Sequence, residues 1–435
     1  MGGLGTRIHT AEPNVPKAMV DVHGSPFFFY QLTLMKEQGF RDFLFCVGHM
    51  SESVQEFFGD GGEYGLRIRY SSDGATPMGT GGALRKAFKL LAGDFIVIYG
   101  DGFLDTDYRE LVYRYRIVKE KQGKEGLLTV YKNKNKYCKS NVRYEDGQVL
   151  SYDKWNPSSD MEHIDFGAAV LSGSVIEAIP PGKKADLADV YHQLAADGRL
   201  AGLEVRKRFY EIGTPDSLEE FKTFIGRRIS KKKPAIFFDR DGTLNEMVYK
   251  DDVDQSDSPL EPEEVRLLPG VVEALLTLRS LGYLLVVITN QPAVAKGKTT
   301  VEKLYDVNRR FTDLVAQGGV EFDDVMICPH HPVGSELCMD KSLVRDCNCR
   351  KPSPGLIEEA VKKLNIDVGE SYVVGDRLSD ILAGKAAGAK TVYIGEFTGD
   401  AEESTDGNTP DQVFETVREF AERLKDSTGV AYGKN

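Results

Sequence analysis

The stretch Ala235-Ile236-Phe237-Phe238-Asp239-Arg240-Asp241-Gly242-Thr243-Leu244-Asn245 limits the possible folds more than any other. Four apolar residues run straight into two aspartates separated by one residue. A short apolar run closed by a turn signal reads as a strand buried on both faces, as in a parallel sheet. Its carboxylates then sit at the carboxyl end of the strand, where open α/β sheets place their ligands. Asp239 is the candidate nucleophile, because a carboxylate can attack phosphorus and split one hard displacement into two easier ones. Asp241 is placed to protonate the leaving oxygen and later to deprotonate the attacking water. Gly242 permits the tight turn. The bland alternative is a strand end with a solvated Asp-x-Asp turn.

Asp-Arg-Asp-Gly-Thr-Leu-Asn resembles the first motif of the haloacid dehalogenase superfamily of phosphatases. Three later stretches continue the resemblance in order, each beside an expected strand. Leu284-Leu285-Val286-Val287-Ile288-Thr289-Asn290-Gln291 ends in a hydroxyl and two amides, and Thr289 fits the second motif as a donor to phosphoryl oxygens. Lys351 of Arg350-Lys351-Pro352 takes the third-motif place, where a point charge holds nucleophile and phosphate together. Tyr372-Val373-Val374-Gly375-Asp376 precedes Arg377-Leu378-Ser379-Asp380. The resemblance implies that Asp376 binds Mg²⁺ with Asp239 and the backbone carbonyl of Asp241. Asp380 either supports the site or merely opens a helix. Asn290 and Arg350 are expected on the sugar-phosphate side, and Lys296 and Lys298 are candidate cations for a remote phosphate.

A length of 435 residues suggests two or three domains. A net charge of −12 argues against general nucleic-acid binding. No apolar run approaches membrane-helix length, and no charged-then-apolar leader opens the chain. A cytoplasmic enzyme with small-molecule substrates is expected, with no nucleic acid or membrane partner and homo-oligomer formation left open. Four of six cysteines cluster late beside histidines, which points to metal rather than disulfides.

The chain opens with Gly2-Gly3-Leu4-Gly5-Thr6-Arg7 and Pro16-Lys17-Ala18-Met19-Val20. Glycines let backbone N–H groups approach phosphates, and Arg7 and Lys17 add cations. The compound pattern resembles the sugar-1-phosphate nucleotidyltransferase family. That resemblance implies nucleotide contacts from Gly3, Gly5, Thr6, Gly79, Thr80 and Gly81, catalytic roles for Arg7 and Lys17, and Mg²⁺ on Asp101 and Glu211. Asp101 ends the apolar strand Phe95-Ile96-Val97-Ile98-Tyr99-Gly100. Glu211 stands where relatives often carry Asp, one methylene shorter. Lys154 is the candidate for the sugar phosphate and Asp165 for sugar hydroxyls; surface charge is the alternative for both. The family normally has an apolar strand immediately before the glycine loop, whereas this sequence begins at the loop. Losing a central strand would remove a ladder and much apolar burial, so a start upstream of Met1 is expected.

Cys328-Pro329-His330-His331-Pro332 with Cys347-Asn348-Cys349 offers three thiolates and one imidazole, a closed set typical of structural zinc. Cys328, His330, Cys347 and Cys349 are the expected ligands, with His331 the lesser imidazole and Cys338 spare. This loop on an Asp-Arg-Asp-Gly-Thr-Leu-Asn background resembles the heptose 1,7-bisphosphate 7-phosphatase group, related to histidinol phosphatases.

The expected fold class is α/β with two domains, each a mostly parallel Rossmann-like sheet flanked by helices. The boundaries read as 1–225, a basic linker 226–234, 235–425 with a zinc loop, and a tail 426–435. Val272, Leu275, Leu276 and Leu278 are expected as one helix's core face. Together the resemblances imply a bifunctional enzyme of NDP-heptose biosynthesis, with Mg²⁺ in both domains, structural Zn²⁺ in the second, and GTP as the nucleotide by pathway analogy. The alternatives are a histidinol-phosphate-type phosphatase fused to a different hexose-1-phosphate nucleotidyltransferase, or to an inactive nucleotide-sensing module.

Overall fold

The computed structural model describes residues 15–48, 51–74, 76–91, 93–229, 232–250, 255–338, 340–397 and 408–427. The chain divides into two compact units between Gly226 and Arg227. Among the described residues, no helix is long and apolar enough to cross a membrane.

The second unit is built on a six-stranded parallel sheet. Its order across the sheet is Asp324–Cys328, Leu284–Asn290, Ala235–Phe238, Tyr372–Gly375, Lys390–Ile394 and Gln412–Phe414. Successive side chains of a strand point to opposite faces, and here both faces are covered. Ile236 and Phe238 pack with helices Val271–Ser280, Val301–Gln317 and Val417–Ser427. Ala235 and Phe237 pack on the other side with helices Gly355–Leu364 and Leu378–Ala387. A strand buried on both sides tolerates only apolar residues, so the run before Asp239 reads as it does. In the helix Val271–Ser280 the buried positions are Val271, Ala274, Leu275 and Leu278. Leu276 is 43% exposed; the expected core face was rotated because the helix keeps its apolar residues at i, i+3, i+4 and i+7 from Val271.

The first unit is also α/β, but its six-stranded sheet is mixed. The order is Phe95–Ile98, His163–Leu171, Gly126–Lys132, Leu200–Val205, Gln148–Tyr152 and Val142–Glu145. Among the described residues, only Gly126–Lys132 and Leu200–Val205 run parallel within it, and its other pairings are antiparallel. Strands Asp42–Val47 and Arg67–Ser72 form a separate parallel pair. The expectation of a mostly parallel sheet is thus corrected for this unit: antiparallel strand pairs have been laid beside the crossover-linked ones. The closing helix Pro215–Ile229 runs into the expected linker. Leu218, Phe221 and Ile225 bury one face, and Arg227 and Arg228 suit the negative end of the helix dipole. Lys233 already bridges to Ile366 of the second unit's own fold.

Phe237 is fully buried in the central strand. Replacing Phe237 with Ala is expected to cost about 3–5 kcal/mol, read from the denaturant transition of the second unit in the full chain. A cost below about 1 kcal/mol would contradict this packing.

Candidate functional site

The carboxyl ends of three adjacent strands converge in the second unit. Asp239 follows Phe238, and its backbone N–H donates to the Val374 carbonyl at 2.9 Å. The Lys351 ammonium lies 2.6 Å from Asp239 Oδ1 and 2.6 Å from Asp380 Oδ1, and donates to the Ile288 carbonyl at 2.8 Å. Lys351 is 4% exposed and Asp380 1%, so Asp380 holds the lysine in place. Asn290 donates to the Lys351 carbonyl and accepts from the Lys351 N–H, both at 3.0 Å. Both ends of its amide are thus bonded to the Lys351 backbone, each with hydrogen-bonding capacity to spare. Thr289 is buried, and its hydroxyl accepts from Gln291 at 2.8 Å. Gly242 adopts φ +90°, and a Cβ there would overlap the Asp376 carboxylate. Thr243 donates to Asp376 at 3.2 Å.

Electrostatics separate the two motif aspartates. Burial pushes Asp239 up to about 6; Lys351 opposes this, and Asp380 and Asp241 add to it. Burial and Asp239 push Asp376 up to about 6. Burial would raise Asp241 too, but Arg240, Gln291 and Asn245 outweigh it and hold its carboxyl below the usual range. Lys351 is raised because Asp239 and Asp380 outweigh its burial. Four carboxylates (Asp239, Asp241, Asp376 and Asp380) thus face two cations, Lys351 and Arg240, which leaves an excess of negative charge. Oxygens of Asp239, Asp376 and Asp380 all lie within 4.8 Å of one another. An all-oxygen, electron-rich set of this kind fits a hard divalent cation.

The zinc-type cluster lies on the loop before Lys351. Cys328, His330, Cys347 and Cys349 present ligand atoms within 4.8 Å of one another. The sulfurs are 3.2, 3.3 and 3.6 Å apart, and His330 Nδ1 is 3.2 Å from Cys349 and 3.7 Å from Cys328. A tetrahedral Zn²⁺ with bonds of about 2.3 Å sets sulfur separations near 3.8 Å, so the four fit that ion with a small expansion. The shared hydrogen bond with Cys328 and burial push the Cys349 thiol up to about 12. His331 is engaged with the Val333 backbone, and Cys338 donates to Asp340 O at 3.2 Å. Arg350 donates to the His330 carbonyl at 3.4 Å, which ties it to this loop. Lys298 pairs with Asp257.

In the first unit, one cavity of about 580 Å³ is lined by Lys17, Gly79, Thr80, Asp101, Lys154, Asp165 and Glu211 among others. Residues far apart in sequence are therefore gathered on one void. Lys17 pairs with Asp101 at 3.0 Å, and Lys154 with Asp186 at 3.2 Å. Glu211 is paired in register with Gly102, next to Asp101, and both acidic residues line the cavity. The Gly81 N–H donates to the Ala185 carbonyl at 3.0 Å, and a Cβ on Gly79 would overlap that carbonyl. These glycines let the loop close on Ala185, with Gly79 and Thr80 lining the cavity. Thr80 donates to Asp186 at 3.1 Å. Gly3, Gly5, Thr6 and Arg7 lie outside the described residues.

A HAD-hydrolase-like family model matches residues 348–420. The D-glycero-beta-D-manno-heptose-1,7-bisphosphate 7-phosphatase of Pasteurella multocida is 40% identical over 164 residues, 37% of this chain and 81% of the relative. Its Escherichia coli counterpart is 34% identical and covered to 96%, across 45% of this chain. Through its second unit the chain belongs to this phosphatase family. Over 52% of this chain and 96% of its own, HddC from Yersinia pseudotuberculosis is similar at 22% identity and a TM-score of 0.42.

Sequence reasoning missed Gln291, which donates to Asp241 at 2.5 Å, and Asp186. For Gln291 a signal existed, a second amide directly after Thr289-Asn290. Asp186 offered none.

Burial pushes Asp165 up to about 6, above the roughly 3.9 of an unfolded aspartate. The folded chain therefore holds that proton more tightly, and stability falls as pH rises from about 4 to about 6. Asp165→Asn removes this term. Its thermal midpoint should gain on the wild type across that interval; a flat or falling difference would contradict the burial of this charge.

Proposed function

We propose that the second unit hydrolyses the 7-phosphate of D-glycero-D-manno-heptose 1,7-bisphosphate, and that the first joins a nucleotidyl group to the resulting heptose 1-phosphate. The observation that carries the phosphatase half is the buried Lys351 spanning Asp239 and Asp380, in a unit akin to heptose bisphosphate phosphatases.

Asp239 attacks phosphorus and becomes an aspartyl phosphate. Lys351 and Thr289 hold the phosphoryl oxygens, and Asp241 gives a proton to the departing sugar oxygen. Asp241 then takes one from the water that hydrolyses the acyl phosphate. Asp239, Asp376 and the Asp241 carbonyl would hold Mg²⁺, which would supply charge neutralisation for the transferring group. Cys328, His330, Cys347 and Cys349 would hold a structural Zn²⁺, which would fix the loop that presents Arg350 to the sugar phosphate.

In the first unit, no covalent intermediate is needed. The sugar 1-phosphate displaces pyrophosphate at the α-phosphorus, and positioning with charge stabilisation supplies the rate. Lys17 faces the triphosphate, with Arg7 assigned the same partner from its motif alone; Lys154 faces the sugar phosphate and Asp165 its hydroxyls. Asp101 and Glu211 would hold Mg²⁺. The pairs Lys17–Asp101 and Lys154–Asp186 support this reading, since phosphates and a cation can exchange into each. Thr80 and Gly79 shape the base side. We assign GTP and the α anomer to this chain by analogy; the phosphatase relatives carry the β anomer in their names. Domain limits near 225 and 235 and a cytoplasmic location belong to the same proposal.

Asp239→Asn should abolish phosphate release, by about 10³-fold or more for a lost nucleophile, and leave nucleotidyl transfer to added heptose 1-phosphate intact. Malachite-green phosphate assay and pyrophosphate exchange read the two separately. Retained phosphate release, or loss of both activities, would contradict it.

A further inference from the structure

Asn141 stands on the wall of the first unit's cavity, and the scheme above gives it nothing to do. It directly precedes the strand Val142–Glu145. Its backbone is held at both ends. The N–H donates to the His163 carbonyl and the carbonyl accepts from the Asp153 N–H, both at 2.9 Å. Its side chain is oriented as well, because Oδ1 accepts from the Asp165 N–H at 3.0 Å. A backbone N–H can only donate, so the oxygen of the amide is the end spent on Asp165. Nδ2 keeps two donors and has no partner among the described residues.

Asp165, bonded to it, lies at a break in the sheet. The pairing of His163–Leu171 with Gly126–Lys132 shifts register between Asp165 and Ala169, and Gly167 inside that shift adopts φ +91°. A bulge of this kind re-aims side chains and is common beside active sites. The Asp165 carboxylate accepts from the Gly167 N–H at 2.8 Å and from the Tyr152 hydroxyl at 3.2 Å. Asn141, Tyr152, Asp165 and Gly167 all line the cavity.

A hydroxyl both donates and accepts, whereas an ionised carboxylate only accepts. Asp165 alone would leave the oxygen of a bound sugar hydroxyl without a donor. The free amide end of Asn141 is a fixed donor beside that acceptor. Resting on the nucleotidyltransferase reading, we propose that Asn141 is a specificity-determining residue, whose Nδ2 donates to one ring hydroxyl of the sugar 1-phosphate while Asp165 accepts from the sugar. A sugar lacking that hydroxyl leaves the amide unpaired in the closed site, and the site rejects it.

The test measures kcat/KM for pyrophosphate release from heptose 1-phosphate and from its 2-, 3- and 4-deoxy analogues, with the full chain, Mg²⁺ and each NTP in turn. The wild type should prefer the parent sugar over at least one analogue by about 10- to 100-fold. Asn141→Asp keeps an oxygen for the Asp165 N–H and loses the amino donor. It should cut the preference over one such analogue to about 3-fold or less, through loss on the parent sugar. The charge it adds meets parent and analogue alike and cancels in the ratio. Asn141→Ala, which loses brace and donor together, should show at least the same fall, and it stands in if Asn141→Asp does not fold. A wild type indifferent to all three analogues, or a folded Asn141→Asp that keeps every preference, would overturn the proposal. A wild type that turns over heptose 1-phosphate with no NTP would overturn the transferase reading first, and this inference with it.

Discussion

One buried ammonium holds the second unit's chemistry together. Lys351 reaches from the loop after the cysteine cluster to touch Asp239, Asp380 and the Ile288 carbonyl. These contacts come from the ends of three neighbouring strands or the helix that follows one. A charge this enclosed is stable only when paired and hydrogen-bonded, and removal of one partner leaves the others uncompensated. The lysine therefore fixes Asp239, the proposed nucleophile, and also depends on it. Asn290 extends the arrangement by gripping the Lys351 backbone on both sides. The cysteine–histidine cluster acts one step further out, since it sets the course of the loop that delivers the lysine.

Under the proposed function, the first unit meets phosphate differently. Its cations are half-exposed and paired with carboxylates around an open cavity, not locked in a core. In the proposed reaction of the first unit two charged substrates enter and two charged products leave with no covalent intermediate, and exchangeable pairs suit that traffic. The proposed phosphatase step calls for a preorganised nucleophile, and the buried lysine suits that.

Much of this was legible in the sequence because periodicity and position carry it. Ala235–Phe238, Leu284–Asn290 and Tyr372–Gly375 are unbroken apolar runs, and only a strand covered on both faces tolerates such runs. The ligand types of Cys328, His330, Cys347 and Cys349 are informative by chemistry alone. What was not legible depends on partners distant in the chain. Nothing in the stretch around Asn290 announces Lys351, 61 residues on, whose backbone it grips. Asp380 reads equally as a helix opener. Nothing beside Gly81 announces Ala185, whose carbonyl takes its N–H. The first unit's antiparallel pairings escaped notice because short alternating strands do not declare their direction.

The most direct test of the account is a single reaction containing the purified chain, Mg²⁺, one anomer of heptose 1,7-bisphosphate and one NTP, with products read by mass spectrometry. Across both anomers and the separate NTPs, the account predicts an NDP-heptose that has lost its 7-phosphate, formed with GTP from the α anomer. Accumulation of heptose 1-phosphate with every NTP, and no nucleotide sugar, would contradict the claim that the two units work in sequence on one sugar.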